Sequence, residues 1–330
     1  MAAFLRQHLF SFLIVAGATV AYAFPAPFVE LGGFRMSRLI VPLIQVIMFG
    51  MGTTLRVDDF VRIVRRPWPV LVGCGLQFAI MPTLGYLLCR TFGLEGDVAA
   101  GVILIGSAAG GVASNVMAYI AGANVALSVS MTTVSTLLSP VMTPLLMRVV
   151  AGRFIEIDML DMALSLVYMI IVPLAVSQVA RTAFDRWCRR ANEVIARLLP
   201  FLSMSAICVI LTVCVGAAHE DLRTAGLVVF AVAIVHNACG YLLGYWGARL
   251  LGRFVAMDER DCRTVAIEVG MQNAGMSQAL AMNVLRSAGA AIAPAIFGVW
   301  MDFSGSLLAG WWRRKSCSDS DAGENGENRT

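Results

Sequence analysis

Apolar residues in this chain do not alternate with polar ones; they gather into long runs. Ten stretches poor in charge, at about 8–24, 39–55, 68–92, 97–120, 124–150, 159–180, 196–217, 224–248, 264–285 and 289–312, are joined by short polar links. Runs of roughly 17–25 residues suit helices that cross a bilayer, whereas strands of a membrane barrel need only about 9–11. The pattern therefore predicts an all-α integral membrane protein with ten transmembrane helices. The first run also imitates a cleavable leader, with Arg6, an apolar stretch and Ala21-Tyr22-Ala23. Keeping it gives ten spans, which divide into equal halves; losing it leaves nine, which do not.

Composition agrees with that pattern. Apolar residues make up 58% of the 330 and charged residues only 14%, against about 25% charged in a soluble domain. Placement of the basic residues then sets the orientation. With the N-terminus inside, 18 of the 25 Lys and Arg fall on the inner side and 7 on the outer. By the positive-inside rule both termini are cytoplasmic, as expected for a multi-pass protein of the cell inner membrane. The net charge of +4 is this asymmetry and needs no nucleic acid partner. The eight cysteines are scattered without a C-x-x-C pair, which argues against a disulfide framework or metal cluster. No H-E-x-x-H motif or convincing catalytic dyad is present, so enzymatic chemistry is not expected. Nothing points to an obligate protein partner, and the polar tail 316–330 reads as disordered and cytoplasmic.

The ten spans form two groups of five, 1–155 and 156–315. An odd number per group makes the second enter the membrane from the opposite side, as in an inverted repeat. The fourth span of each group is interrupted. The first carries Gly110-Gly111 within Gly106–Tyr119; the second carries Gly270 and Gly275 around Gln272-Asn273, and also Glu268. An ionised acid at the bilayer centre costs roughly 2.5–3.5 kcal/mol on insertion scales and is by default a hypothesis about an ion path. A single Gly-Gly pair is more often a packing device between membrane helices. Two breaks at matching positions, each near an Asn and flanked by hydroxyl, amide or carboxylate groups, favour a binding site instead. Unwound backbone exposes carbonyl oxygens that suit a hard cation, while the half-helix that follows offers N–H groups and partial positive charge to an anion. Asn115 and Asn273 are placed to cap these second half-helices.

At these residues the chain resembles the bile acid:sodium symporter family, its prokaryotic members in particular. The motifs are Gly110-Gly-Val-Ala-Ser-Asn115, Val125–Pro144 with its repeated Ser and Thr, Ala266-Ile-Glu-Val-Gly-Met-Gln-Asn273, His236-Asn237 followed by Gly240-Tyr241 and Gly244, and Ser304-Gly-Ser306. The likeness extends from the first span to Trp312. It implies a core domain with crossed broken helices 4 and 9, a panel domain, and two Na⁺ sites behind the crossing. Carried onto matching positions, the first site is Ser114, Asn115, Ser128, Thr132 and Glu268. The second is Gln77, Glu268 and Gln272 with the backbone carbonyls of Val269 and Met271. Substrate would meet Val112, Ala113, Asn273 and Met301. The chain departs from the family at Ala108-Ala109, where Cys-Pro or a similar pair is usual, at Val112, where threonine is common, and at Met301, where bile-acid carriers can carry a polar residue. These differences bear on the cargo and leave the sodium ligands intact.

Taken without the resemblance, Ser128 and Thr132 (i, i+4 on one face) and Gln77 read more readily as interhelical bonds than as ligands. His236 reads as a satisfied core residue, and Asp302, near the Gly-rich end of its span, pairs or faces water. With the resemblance, the expected function is a sodium-coupled symporter that imports an organic anion, either bile-acid-like or a small carboxylate such as a pantoate-type or keto acid. A proton-coupled or Na⁺-independent carrier or exporter on the same fold is the alternative, and an intramembrane enzyme a weaker one.

Overall fold

The computed structural model describes residues 16–55, 61, 63–187 and 189–327. Residues 8–15 of the expected first span, with Arg6, lie outside these, and 16–23 are helical. A short hairpin, β1 (Glu30–Leu31) against β2 (Phe34–Arg35), turns through Gly32 and Gly33 at φ 58 and 82. The positive φ at both central residues explains the two glycines. A 3-10 turn over Met36–Leu39 then leads into helix α1 (Ile40–Thr54).

The following helices are α2 (Pro67–Phe92), α3 (Gly96–Gly106), α4 (Ala113–Ile120) and α5 (Val125–Leu146), the last running on as a π-turn over Met147–Ala151. Then come α6 (Met159–Leu166), a second π-turn over Val167–Ile171, α7 (Val172–Trp187), α8 (Arg189–Ala217) and α9 (His219–Leu251). The chain closes with α10 (Glu259–Gly270), α11 (Ala274–Asn283) and α12 (Ala288–Glu327).

Among the described residues six helical segments are long and apolar enough to cross a membrane: Met36–Thr53, Pro67–Phe92, Val125–Ala151, Met159–Thr182, Leu222–Phe254 and Ala288–Lys315. They make this a multi-pass membrane protein. The expected spans 97–120 and 264–285 do not join that set because each is two short helices. The run 196–217 falls in α8, whose apolar part is Ser205–Ala217. Prolines inside α5 are accommodated locally: Ser139 Oγ donates to Thr136 O at 2.8 Å, the carbonyl that Pro140 leaves without an N–H. Helix α12 continues to Glu327, across most of the tail expected to be disordered, while 328–330 lie outside the described residues. Extending an established helix costs far less than starting one, so the polar segment can follow Trp312 without an apolar face of its own.

Two apolar clusters organise the interior. One gathers Ile40, Ile44 and Met48 of α1 with Ile103, Met162, Leu166, Ile210 and Leu280. The other gathers Met131, Val265, Ile267, Val269, Met271 and Phe297. The second broken segment and the first half of the first are buried among them, while Val112, Val116 and Tyr119 on the other half of the first are exposed.

Candidate functional site

Helices α3 and α4 are the halves of one interrupted span, α10 and α11 of the other, and the interruptions meet. Residues 107–112 and 271–273 run antiparallel, bridged at Gly110 and Gln272. Asn273 N donates to Ala109 O at 2.9 Å and Gly111 N to Met271 O at 3.4 Å. Backbone groups that leave a helix inside a membrane have no water to turn to; here the two breaks satisfy each other. The close approach explains the glycines. A Cβ on Gly110 would stand 2.7 Å from Glu268 Oε2, and one on Gly111 2.6 Å from Gln272 O. Ser135 Oγ of α5 accepts from Gly110 N at 3.1 Å, which ties a third helix to the crossing.

The outer ends of the half-helices are also fixed. Asp258 and Asp261 form a reciprocal capping box at the start of α10. Asn124, the N-cap of α5, donates from Nδ2 to Asp261 Oδ1 at 2.7 Å, and Asn124 N donates to Thr264 Oγ1 at 2.8 Å. On the other side of the break Asn237 Nδ2 of α9 donates to Gly270 O at 2.8 Å, and Asn237 Oδ1 accepts from Ser304 Oγ at 2.6 Å.

Glu268, in the last turn of α10, is fully buried. Its carboxylate accepts hydrogen bonds from Ser114 Oγ, Ser128 Oγ and Thr132 Oγ1, the last at 3.0 Å. Asn115 joins the same group, its Oδ1 2.8 Å from Ser128 Oγ and 3.5 Å from Thr132 Oγ1, so that it competes with the carboxylate for the single proton of each hydroxyl. Thus all five residues expected for the first sodium site come together from α4, α5 and α10. The expectation that Asn115 caps its half-helix fails: α4 begins at Ala113 after Val112, which puts Asn115 inside the first turn, where its amide faces α5. Asn273 does cap, accepting from Met276 N at 3.0 Å.

The second set is less compact. Gln77 Nε2 of α2 donates to Gln272 Oε1 and to Ala108 O, each at 3.3 Å. Among the described residues neither Gln77 nor Gln272 bonds Glu268, which stands one turn back along the chain. Val269 O accepts from Gln272 Nε2 at 2.7 Å, and Met271 O is the acceptor of Gly111 N. Gln77 Oε1 is buried without a hydrogen-bond partner among the described residues.

These groups fit a hard monovalent cation. The donors are oxygens of one carboxylate, three hydroxyls and three amides, no Lys or Arg pairs with Glu268 among the described residues, and one buried amide oxygen lacks a donor. An unpaired buried carboxylate is costly, and a bound cation offsets that cost.

In front of the crossing lies a cavity of about 90 Å³. Val112, Ala113, Asn273 and Met301, all expected at the substrate, line it together with Ile44, Met48, Ile210, Gln278 and Asp302. The first turns of α4 and α11 open onto it. His236 stays in the core, its Nε2 2.9 Å from Met81 O and its ring edge-on to Phe297. Sequence reasoning passed over Ser135, although it continues the Ser128–Thr132 face of α5 by one more turn. It also passed over the anchoring role of Asn237, which was legible only as a polar pair with His236.

Comparison with known proteins bears on the same residues. The profile of the Sodium Bile acid symporter family matches residues 41–224. An uncharacterized sodium-dependent transporter, YocS, of Bacillus subtilis is 38% identical over 306 residues, 93% of this chain and 91% of its own. A probable chloroplastic sodium/metabolite cotransporter of Oryza sativa, BASS2, is 35% identical over 83% of this chain and 64% of its own. The ileal sodium/bile acid cotransporter of Oryctolagus cuniculus is 30% identical over 72% of this chain and 67% of its own. These relatives are named as transporters, not enzymes. The chain belongs to the sodium bile acid symporter family of sodium-dependent transporters.

Proposed function

We propose that this protein imports an organic anion by coupling it to inward flow of two Na⁺. The observation that carries the reading is the buried, oxygen-only set around Glu268, held directly behind two half-helix starts that share one cavity. One ion sits among Ser114, Asn115, Ser128, Thr132 and Glu268, where each hydroxyl turns a lone pair to the cation in place of its bond to the carboxylate. The second uses Gln77 and Gln272 with the carbonyls of Val269 and Met271, and shares Glu268 after a short movement of the break.

Ion binding at these positions orders both breaks at once, because their backbones are bonded to each other. Ordering fixes Val112, Ala113 and Asn273 at the cavity, where first-turn N–H groups meet the carboxylate of the cargo. Met301 and the apolar wall from α1 and α8 contact its body. Ten spans in two inverted repeats, 1–155 and 156–315, give a core that carries the crossing and a panel against which it rocks, the alternating access of such carriers. Both termini face the cytoplasm of a cell whose inner membrane holds the protein. Two Na⁺ with a monovalent anion move one net charge, worth about 2.3 kcal/mol per 100 mV of membrane potential.

The test is uptake of labelled small carboxylates into proteoliposomes with Na⁺ or K⁺ outside. Uptake should need Na⁺, and Glu268→Gln should lower it by about 100-fold, as expected if removal of the shared charge costs about 2.8 kcal/mol. Full-rate uptake in K⁺, or in acid-driven K⁺ liposomes, would sink sodium coupling.

A further inference from the structure

The cavity in front of the crossing has a polar corner that the sodium sites do not use. Gln278, one turn beyond Ala274 on α11, is only 3% exposed, and its Oε1 is buried with no hydrogen-bond partner among the described residues. The same holds for Oδ1 of Asp302 on α12. Both residues line the cavity, and α11 and α12 pack side by side. None of the lining residues is Lys, Arg or His, so the wall brings no cation to Asp302. Two acceptors without a donor inside a protein are a standing cost. The other end of the cavity has the opposite character, with the first turns of α4 and α11 presenting N–H groups and partial positive charge beside Val112 and Asn273.

We propose that the cargo is a small amino-bearing carboxylate, a zwitterion, with its carboxylate at the half-helix starts and its ammonium held by Asp302 and Gln278. This rests on the sodium-coupled reading above and replaces its net-anionic cargo with one that bears a carboxylate but is neutral overall, so that two Na⁺ would move two net charges. Charge favours the assignment. An ammonium supplies the donors that Asp302 Oδ1 and Gln278 Oε1 lack and the positive charge that would hold Asp302 ionised, whereas a simple monoanion supplies neither.

The experiment uses the purified full-length chain in detergent with three probe sets: alanine against lactate, β-alanine against 3-hydroxypropionate and propionate, and 4-aminobutyrate against butyrate. Thermal stabilisation is titrated at fixed Na⁺, and the same compounds compete for uptake in proteoliposomes. At least one amino compound should bind at least about tenfold more tightly than its partners. Asp302→Asn should narrow that gap by a similar factor and leave stabilisation by Na⁺ alone unchanged. If no amino compound outcompetes its hydroxy or unsubstituted partner, the proposal is wrong; if Asp302→Asn keeps the preference, it is also wrong. Should Asp302→Asn fail to fold, Gln278→Met and the wild-type comparison decide by the same criteria. Stabilisation by Na⁺ without any organic compound is read separately, and its absence would refute sodium coupling whatever the probe sets show.

Discussion

Replacing Gly111 by alanine puts a Cβ 2.6 Å from Gln272 O, a backbone atom held by the facing break. At Gly110 the new atom meets Glu268 Oε2 at 2.7 Å, the end of a side chain that can turn away. The two substitutions should therefore differ. Gly111→Ala forces the breaks apart and should destabilise the protein by about 1–3 kcal/mol. Gly110→Ala should cost less stability and weaken Na⁺ more, because the side chain it displaces is the central carboxylate. Thermal melts with and without Na⁺ separate the effects; equal loss in both variants would contradict this account of the crossing. Glu268 was legible from sequence as a charge in an apolar run, and Ser128 and Thr132 as neighbours on one helix face. That their hydroxyls reach the carboxylate of a residue from the other half of the chain followed only from the family resemblance, since spacing orders groups along one helix and says nothing of which helix lies opposite.

At the scale of elements, two asparagines hold the second break for different reasons. Asn273 caps α11 through Met276 N and also borders the cavity; Asn237 holds the last carbonyl of α10 from a neighbouring helix. Loss of a cap costs about 1 kcal/mol, and a buried carbonyl left without its donor costs about 1–3 kcal/mol. Asn237→Ala should thus lower stability at least as much as Asn273→Ala, while only Asn273→Ala changes the affinity for organic ligand relative to its effect on the melt. Titration of a stabilising ligand against both variants checks this. Both interruptions were visible in the sequence because Gly110-Gly111 and Gly270 punctuate apolar runs. Their mutual pairing was not visible, because a three-residue bridge of Met271-Gln272-Asn273 leaves no alternation to read. The position of Asn115 shows the same limit: α4 starts three residues earlier than a cap at Asn115 would require, and helix boundaries depend on the tertiary partner as much as on the local residue.

At the scale of the whole molecule, the long apolar runs at α1, α2, α5, α6–α7, α9 and α12 were legible because each has the length and apolar composition that a membrane span needs. The run into α12 was placed well at its start, and the helix continues past Trp312 to Glu327, since composition does not show how far a helix propagates once begun. Basic residues should set orientation, and a reporter fused at the C-terminus tests it: a fluorescent protein that matures only in the cytoplasm should be bright, and a periplasmic phosphatase fused there inactive. The crossing also has a consequence for biosynthesis. Ser114 and Glu268, now hydrogen-bonded, are 154 residues apart in the chain. At translation speeds of about 5–20 residues per second, the first break waits on the order of ten to thirty seconds in the membrane before its counterpart is made. During that interval the carbonyls near Ala109 and the hydroxyl of Ser114 have none of their final partners from the second half. The first break therefore becomes fully bonded only when the segment around Gln272 arrives, so folding of the crossing follows synthesis of the second half.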